Sequence, residues 1–393
     1  VVGALYEDES AFNAGAAYVF GRNEGGADNW GQMAKLTATD SLAGDGFGYA
    51  VAVAQDTIAV GAPNHDHSPV VTDTGAVYVF ARNEGGAGNW GQVTKITATD
   101  TITRYEFGYS VDLDGSLLVV GAPARFAAQS SVNSGVVHVF ERNEGGADNW
   151  GCVTVITAAD SASDDRFGNA VAIDGDTIVV GATGDDAPSI NSGSAYVFRR
   201  NEGGANNWGQ TAHISQTDSA SVDLFGHDVD IGGDTIVAGV IGADDGCPWT
   251  PNCNSGAAYV FERNEGGADN WGQSAKITAT DSITRDQFGI SVAIHDDTIL
   301  VGAYGDDDLG VDAGSAYLFA RNEDGADNWG LEAKLTAENG EPSDRFGAAV
   351  AVEEDLALVG SWLSDGQYSN SGSTYLYRKT LATVMLPLVT RDY

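Results

Sequence analysis

The stretch Phe47-Gly48-Tyr49-Ala50-Val51-Ala52-Val53-Ala54-Gln55-Asp56-Thr57-Ile58-Ala59-Val60-Gly61-Ala62 decides the fold. It reads as two short strands, Tyr49–Ala54 and Thr57–Ala62, joined by a tight turn. In other copies that turn is Asp114-Gly115 or Asp174-Gly175, the dipeptide favoured where both central residues take positive φ. Ala50-Val51-Ala52-Val53 is apolar at every position, and so is Ile178-Val179-Val180-Gly181-Ala182. A sandwich strand exposes one face and alternates apolar with polar. Strands apolar on both sides call instead for sheets stacked face to face, each buried between two others.

Two more strand-like pieces follow: Gly75–Phe80 (GAVYVF), then Val93–Thr99 (VTKITAT) beyond a loop at Arg82–Gly91. The whole group repeats. Arg-Asn-Glu-Gly-Gly-Ala-Asp-Asn-Trp-Gly, first seen at Arg22–Gly31, recurs nearly verbatim with its tryptophan at Trp30, Trp90, Trp150, Trp208, Trp271 and Trp329. A period of about 60 residues held this strictly means an array or ring of like units. Each unit has four antiparallel strands in up-and-down order, so the fold class is all-β and a β-propeller of four-stranded blades. A solenoid is the structural alternative.

The third-strand pattern begins at Gly15, Gly75, Gly135, Gly193, Gly256, Gly314 and Gly372, which makes seven blades. The Phe-Gly first strand occurs six times, at Phe47, Phe107, Phe167, Phe225, Phe288 and Phe346. The N-terminal blade therefore lacks its inner strand, and Val1–Ala4 presents an edge. Three arrangements would complete it: an upstream strand of a longer protein, the C-terminal tail of the same subunit, or a strand from a neighbouring subunit, which would build a polymer. The chain starts Val1-Val2-Gly3-Ala4 without Met, which reads as a processed or partial chain. Residues 1–393 form a single propeller domain on this reading. Within it, 380–393 is a C-terminal strand and tail whose Thr380–Val389 supplies the last blade's outer strand.

Phe-Gly-x-x-Val-Ala, then Thr-Ile-x-Val-Gly-Ala-Pro, then Gly-x-x-Tyr-Val-Phe resembles the FG-GAP repeat. Phe47-Gly48 with Gly61-Ala62-Pro63, and Phe107-Gly108 with Gly121-Ala122-Pro123, show both halves. The repeat builds the seven-bladed propeller at the N-terminus of integrin α chains, and also occurs in secreted bacterial proteins and a fungal lectin. The resemblance covers essentially the whole chain. It implies the fold, and function only as a range of adhesion, lectin and enzyme roles. Integrin-type repeats often bind calcium between the first and second strands. That loop is only a tight turn here (Gln55-Asp56, Gly175-Asp176), so those sites do not carry over.

Composition narrows the function. The 393 residues hold 56 Asp+Glu against 19 Lys+Arg, a formal net charge of −37. Such a chain repels phosphate, which excludes binding along nucleic acid and electrostatic docking on anionic membranes. No apolar run reaches the ~18–20 residues that span a bilayer, so no membrane span is expected. Hydrophobic residues make up 42%, enough to fold. The acid bias suits an extracellular or cell-surface location rich in cations.

Acid concentrates in two sets of loops. One joins the second and third strands: Asp185-Asp186, Asp244-Asp245 and Asp306-Asp307-Asp308-Leu309-Gly310-Val311-Asp312. The other joins one blade to the next, with Asp40, Asp160, Asp218 and Asp281. Both sets leave the same end of the strands and should form one acidic face. Asp306, Asp308 and Asp312 are the best candidate ligands for calcium, which takes ~6–8 oxygens. Asp185, Asp186, Asp244 and Asp245 are further metal candidates, and solvated loops are the alternative. Cys247 and Cys253 bracket a loop with two prolines at a six-residue separation, compatible with a local disulfide and an oxidising compartment. Two free loop thiols are the other reading. Cys152 replaces the glutamine of sister copies (Gln32, Gln92, Gln210) and reads as inert.

The repeat tryptophans suit a structural role better than sugar stacking. Trp249 and Trp362, outside the repeat pattern, are the binding candidates. His65-Asp66-His67 could touch a metal, but such a loop is more often solvated. No nucleophile elbow, zinc-protease or Walker motif appears. Near-identical copies argue for scaffold or multivalent binding. The expectation is a secreted, non-enzymatic structural or adhesion propeller of the cell surface or matrix, able to polymerise by strand or tail exchange. Its partners are copies of itself or matrix components, with calcium as a cofactor. The alternative is a multivalent carbohydrate-binding lectin with glycan partners.

Overall fold

The computed structural model describes residues 1–393 except 25, 28, 99–102, 125–133, 247–252, 324, 365–370, 380–384 and 393, and describes 385–392 by backbone alone. Among the described residues there is no helix. The strands form seven antiparallel sheets in simple sequential order, three-stranded in the first and four-stranded in the others. The architecture is that of a seven-bladed β-propeller, and the sheets are called blades 1–7 in chain order.

Compact packing divides the chain into two units, Val1–Asp185 with Tyr196–Thr211, and Asp186–Ala195 with Ala212–Tyr393. In the first, blade 1 comprises Val2–Ala4, Ala16–Arg22 and Trp30–Leu36, and blade 2 comprises Val51–Ala54, Thr57–Ala62, Ala76–Arg82 and Trp90–Ile96. Blade 3 runs over Ser110–Asp114, Leu117–Ala122, Val136–Arg142 and Trp150–Ile156, and blade 4, whose strands fall in both units, over Phe167–Asp174, Thr177–Ala182, Ser194–Arg200 and Trp208–Ile214. In the second, blade 5 comprises Phe225–Gly232, Thr235–Val240, Ala257–Arg263 and Trp271–Ile277. Blade 6 comprises Val292–His295, Thr298–Ala303, Ser315–Arg321 and Trp329–Leu335, and blade 7 Phe346–Glu353, Leu356–Ser361, Ser373–Lys379 and Met385–Asp392.

The two-sided apolar pattern has the predicted consequence. All six residues of Thr57–Ala62 are buried, and so are those of Leu117–Ala122. Within the first unit, Ala17, Val19 and Leu36 of blade 1 pack with Ile58, Val60 and Tyr78 of blade 2. Within the second, Leu300, Leu318 and Leu335 of blade 6 pack with Phe346, Val359 and Tyr375 of blade 7. Removal of apolar surface from water on both faces of each sheet is the main stabilising term.

The Phe-Gly motif explains the stacking. Phe47 sits edge-on to Tyr78 and Phe80, with centroids 5.4 and 6.0 Å away. Phe288 does the same with Tyr317 and Phe319 at 5.4 and 6.1 Å. The backbone of each such phenylalanine bridges in parallel to the glycine that opens the preceding blade's third strand, as in Gly15 to Phe47 and Gly314 to Phe346. Gly314 has φ +84, and a Cβ there would lie 2.1 Å from the Phe346 carbonyl oxygen. Only glycine meets both conditions.

Two boundaries differ from the sequence reading. The fourth strand starts at the tryptophan, three residues earlier than expected, because Trp90 is in register with Arg82 and Trp329 with Arg321. A bulge opposite Val79/Phe80 then steps out Val93, which the expected strand began on. The last blade's outer strand is Met385–Asp392, paired with Ser373–Lys379, while 380–384 lie outside the described residues.

Blade 1 lacks a first strand, as expected. Elsewhere the second-strand glycine holds that strand with both backbone groups. Gly61 N–H donates to the Ala50 carbonyl at 2.8 Å, and its carbonyl accepts from Gly48 N–H at 3.0 Å. Gly302 repeats this with Ser291 and Gly289 at 2.9 Å each. Gly3 occupies the same position in blade 1, and Val2–Ala4 pairs only with Ala16–Tyr18 among the described residues.

Candidate functional site

The acidic loops meet, and the protein supplies their counter-ion. In blade 6, Tyr317 of the third strand is in register with Lys334 of the fourth. This places the ammonium 5.1 Å from the Tyr317 ring centroid, at the end where the loops converge. Asp281 comes from the blade-to-blade loop, and Asp306 and Asp308 from the loop between strands two and three. Lys334 Nζ donates to Asp281 Oδ2 at 2.7 Å, Asp306 Oδ2 at 2.9 Å and Asp308 Oδ2 at 2.5 Å. Tyr317 O–H reaches Asp281 Oδ1 at 3.0 Å and Asp306 Oδ2 at 2.8 Å.

The device recurs. Lys276 holds Asp218 and Asp245 at 2.6 Å each over the Tyr259 ring. Lys35 holds Glu7 at 2.8 Å, and Glu9, beside Tyr18. Lys95 holds Asp40 at 2.7 Å beside Tyr78. Four of the five lysines in the chain (35, 95, 276, 334, 379) are spent this way. Burial works against the Lys334 charge, but the hydrogen bonds to Asp281, Asp308 and Asp306 outweigh it and raise the ammonium's pKa. Burial likewise disfavours charge on Asp281, yet the bonds from Lys334 and Tyr317 hold its carboxyl below the usual range. Asp218 behaves the same way with Lys276 and Tyr259. Tyr317 is pushed up by burial and by its bond to Asp306.

These facts place the predicted metal ligands. Asp281, Asp306 and Asp308 bring carboxylate oxygens within 4.8 Å of one another, so the third member of the set is Asp281 in place of Asp312. Lys334 already donates to all three, so the set as it stands does not fit a calcium ion. Asp185 accepts the Tyr196 hydroxyl in the interior and, with Asp160 and His213, brings ligand atoms within 4.8 Å of one another, a group that could hold a metal, while Asp186 accepts the Asn191 N–H at 2.8 Å. Asp244 accepts the Asn254 N–H at 2.9 Å, while Asp245 is held by Lys276. His65 is buried, with Nδ1 3.0 Å from Asp45 and Nε2 2.6 Å from Lys95 Nζ. With an ammonium on Nε2, that nitrogen accepts a hydrogen bond and is not a metal ligand.

Cys247 and Trp249 lie outside the described residues, as does the proposed Cys247–Cys253 pairing. Cys253 itself is buried, and Cys152 is free and exposed. The repeat tryptophans Trp150, Trp208, Trp271 and Trp329 are buried, the last two under the guanidinium groups of Arg263 and Arg321 at 5.0 and 4.6 Å. Trp362, by contrast, is 44% exposed.

A second set of acids lies on the first strands. Asp112 accepts Leu113 N–H and, from the next blade's first strand, Ile173 N–H, both at 2.8 Å. Asp228 and Asp230 take Val292 and Ile294 N–H in the same way, at 2.8 and 2.7 Å. Burial pushes Asp112 up to about 7 and Asp228 up to about 6. Sequence reading passed over these residues. The one available signal was an aspartate where sister copies carry alanine (Ala52 and Ala172 opposite Asp112 and Asp230, Ala50 and Ala170 opposite Asp228).

A family model described as FG-GAP repeat matches residues 30–80, 90–140, 150–198, 208–261, 271–319 and 329–377. The chain belongs to the FG-GAP repeat family. Each match starts at a repeat tryptophan and ends in the next blade's third strand, so the family unit straddles two blades. With the seven blades, this is an integrin-like FG-GAP propeller. Among solved structures, a hypothetical selenium-binding protein from Sulfolobus tokodaii is similar, with TM-score 0.61 and 8% identity over 96% of this chain and 87% of that one. At that identity the likeness concerns the fold alone. No curated protein matches the chain. No helix of the described residues is long and apolar enough to cross a membrane.

Proposed function

We propose that this FG-GAP propeller is a secreted, non-enzymatic component of the cell surface or extracellular matrix, serving structure or adhesion and joining to copies of itself by strand or tail exchange. The observation that carries this reading is the edge of blade 1. Gly3 stands where Gly61 and Gly302 each bind a first strand through both N–H and C=O, and its own strand pairs on one side only. An extended segment added at this edge, whether from the same protein or from another molecule, would complete the blade by main-chain hydrogen bonds, with little demand on side-chain identity. Divalent cations such as calcium act in this reading between molecules, bridging exposed carboxylates, because Lys334 already serves Asp281, Asp306 and Asp308. Electron microscopy of native material, with sedimentation velocity across a concentration series, tests it. Chains or larger assemblies support the proposal, and discrete monomers at every concentration overturn it.

Carbohydrate binding is the second reading, and Trp362 is the observation behind it. It offers an exposed indole face of the kind that stacks on sugars. The buried repeat tryptophans give no support to a multivalent form of that reading.

A further inference from the structure

Where near-identical copies depart from their own pattern, and the departures meet in space, the residues answer to something other than the scaffold. The position two residues after the second-strand glycine is Leu5, Pro63, Pro123, Thr183 and Ile241 in blades 1–5, but Tyr304 and Trp362 in blades 6 and 7. Arg345 precedes Phe-Gly in blade 7, at a position where the other copies carry Gly46, Glu106, Arg166, Leu224 and Gln287. These three residues converge. The Arg345 guanidinium carbon lies 5.1 Å from the Tyr304 ring centroid and 5.6 Å from that of Trp362.

Acids outnumber bases threefold in this chain, and the arginines that end third strands find them: Arg200 holds Glu141, Arg263 holds Asp234, and Arg321 holds Asp297 and Glu262. Among the described residues Arg345 has no ion pair and no side-chain hydrogen bond, and its Nε is buried without an acceptor. A buried donor left unmet costs roughly 1–3 kcal/mol. The backbone fixes the residue in place, with φ +58 and its N–H donated to the Asp312 carbonyl at 3.1 Å. The result is a positioned, unpaired guanidinium beside a half-exposed indole.

We propose that Arg345, Trp362 and Tyr304 form a binding site for an acidic sugar, whose ring stacks on Trp362 and whose carboxylate is held by Arg345. The chemistry matches on both sides. The flat C–H face of a pyranose packs on an aromatic ring. A guanidinium offers parallel N–H donors that a carboxylate accepts in pairs. The surrounding negative charge sets the selectivity: a long polyanion is repelled as a whole, while one carboxylate can be taken up locally. The proposal rests on the carbohydrate-binding reading and deepens it. It is independent of self-assembly at blade 1.

The test is isothermal titration of the whole chain with short galacturonate and glucuronate oligosaccharides, and with their neutral galactose and glucose counterparts. The acidic sugars are expected to bind at least about tenfold tighter than the neutral ones, the worth of one charge-assisted contact. Arg345→Met keeps an unbranched chain beside both rings and removes the charge. It should abolish the preference, and Trp362→Leu should weaken binding of every sugar that binds. Melting curves confirm that both variants fold, and the acidic-against-neutral comparison on the unaltered chain needs no variant. Equal binding of acidic and neutral sugars would overturn the acidic-sugar site while sustaining carbohydrate binding. No binding of any sugar would overturn both. Undiminished binding by Arg345→Met would place the ligand elsewhere.

Discussion

Lys334 Nζ lies 2.9 Å from Asp306 Oδ2, and Asp306 is buried at 3% exposure. An ammonium therefore stands where the density of aspartates suggested a metal ion. Removing it leaves three carboxylates facing one another. Lys334→Met is expected to cost about 2–4 kcal/mol, since stranding a largely buried charge is expensive. The same change opens the site, so added Ca²⁺ should raise the variant's melting temperature by more than it raises the parent's. Differential scanning fluorimetry with and without the ion decides it. An equal response to Ca²⁺ in parent and variant would contradict the assignment.

Gly314→Ala tests the junction of blades 6 and 7. A left-handed φ and a Cβ placed 2.1 Å from the Phe346 carbonyl cannot both be accommodated. The backbone strain alone is worth about 1–3 kcal/mol. Gly115→Ala is the control, because Gly115 also has positive φ but nothing within 4 Å of its Cβ position. Urea titration should show a markedly larger loss for Gly314→Ala, and equal losses would mean that the close approach does not matter.

The buried aspartates give the protein a mildly acidic stability optimum. Asp112 has a folded pKa raised to about 7. Its contribution is full below the unfolded value near 4 and fades as pH rises through about 7. Asp218 and Asp281 have lowered folded values, so their contribution holds above the unfolded value and is lost as pH falls through the folded one. Stability should therefore decline from pH 5 to pH 8, and Asp112→Asn should flatten that decline while losing one acceptor of the Leu113 and Ile173 N–H groups. Chemical denaturation at the two pH values measures the slope. An unchanged slope in the variant removes Asp112 as its source.

Thiol chemistry is the simplest check on the compartment. If Cys247 and Cys253 are joined, a thiol reagent applied in denaturant without reductant, so that buried Cys253 is reachable, titrates Cys152 alone. Reaction of all three would remove the disulfide and the argument for an oxidising environment.

What the sequence disclosed follows from what repeats. Phe-Gly, Gly-x-x-Tyr-Val-Phe and the tryptophan spacing are local patterns, and they sufficed for seven blades and the short first one. The lysine caps were harder to see, because Lys334 and Asp281 meet across 53 residues and only strand register brings them together. A clue was present all the same: Lys35, Lys95, Lys276 and Lys334 each follow the repeat tryptophan by five residues. The set of Arg345, Tyr304 and Trp362 was hidden for the opposite reason. Tyr304 and Trp362 are departures from the repeat, which a consensus averages away, Arg345 sits at a position that varies among the copies, and exposed Trp362 alone stood out. The fourth-strand start was misjudged at Val93 because a bulge turns that apolar residue to solvent.

Hydrogen exchange at Val2–Ala4 addresses the proposed assembly most directly. If blade 1 is completed by another molecule, the Gly3 amide should exchange fast in dilute solution and become protected as concentration rises, while Gly61 and Gly302 stay protected throughout. Protection of Gly3 that is the same at every concentration, whether strong or absent, would contradict strand exchange between copies.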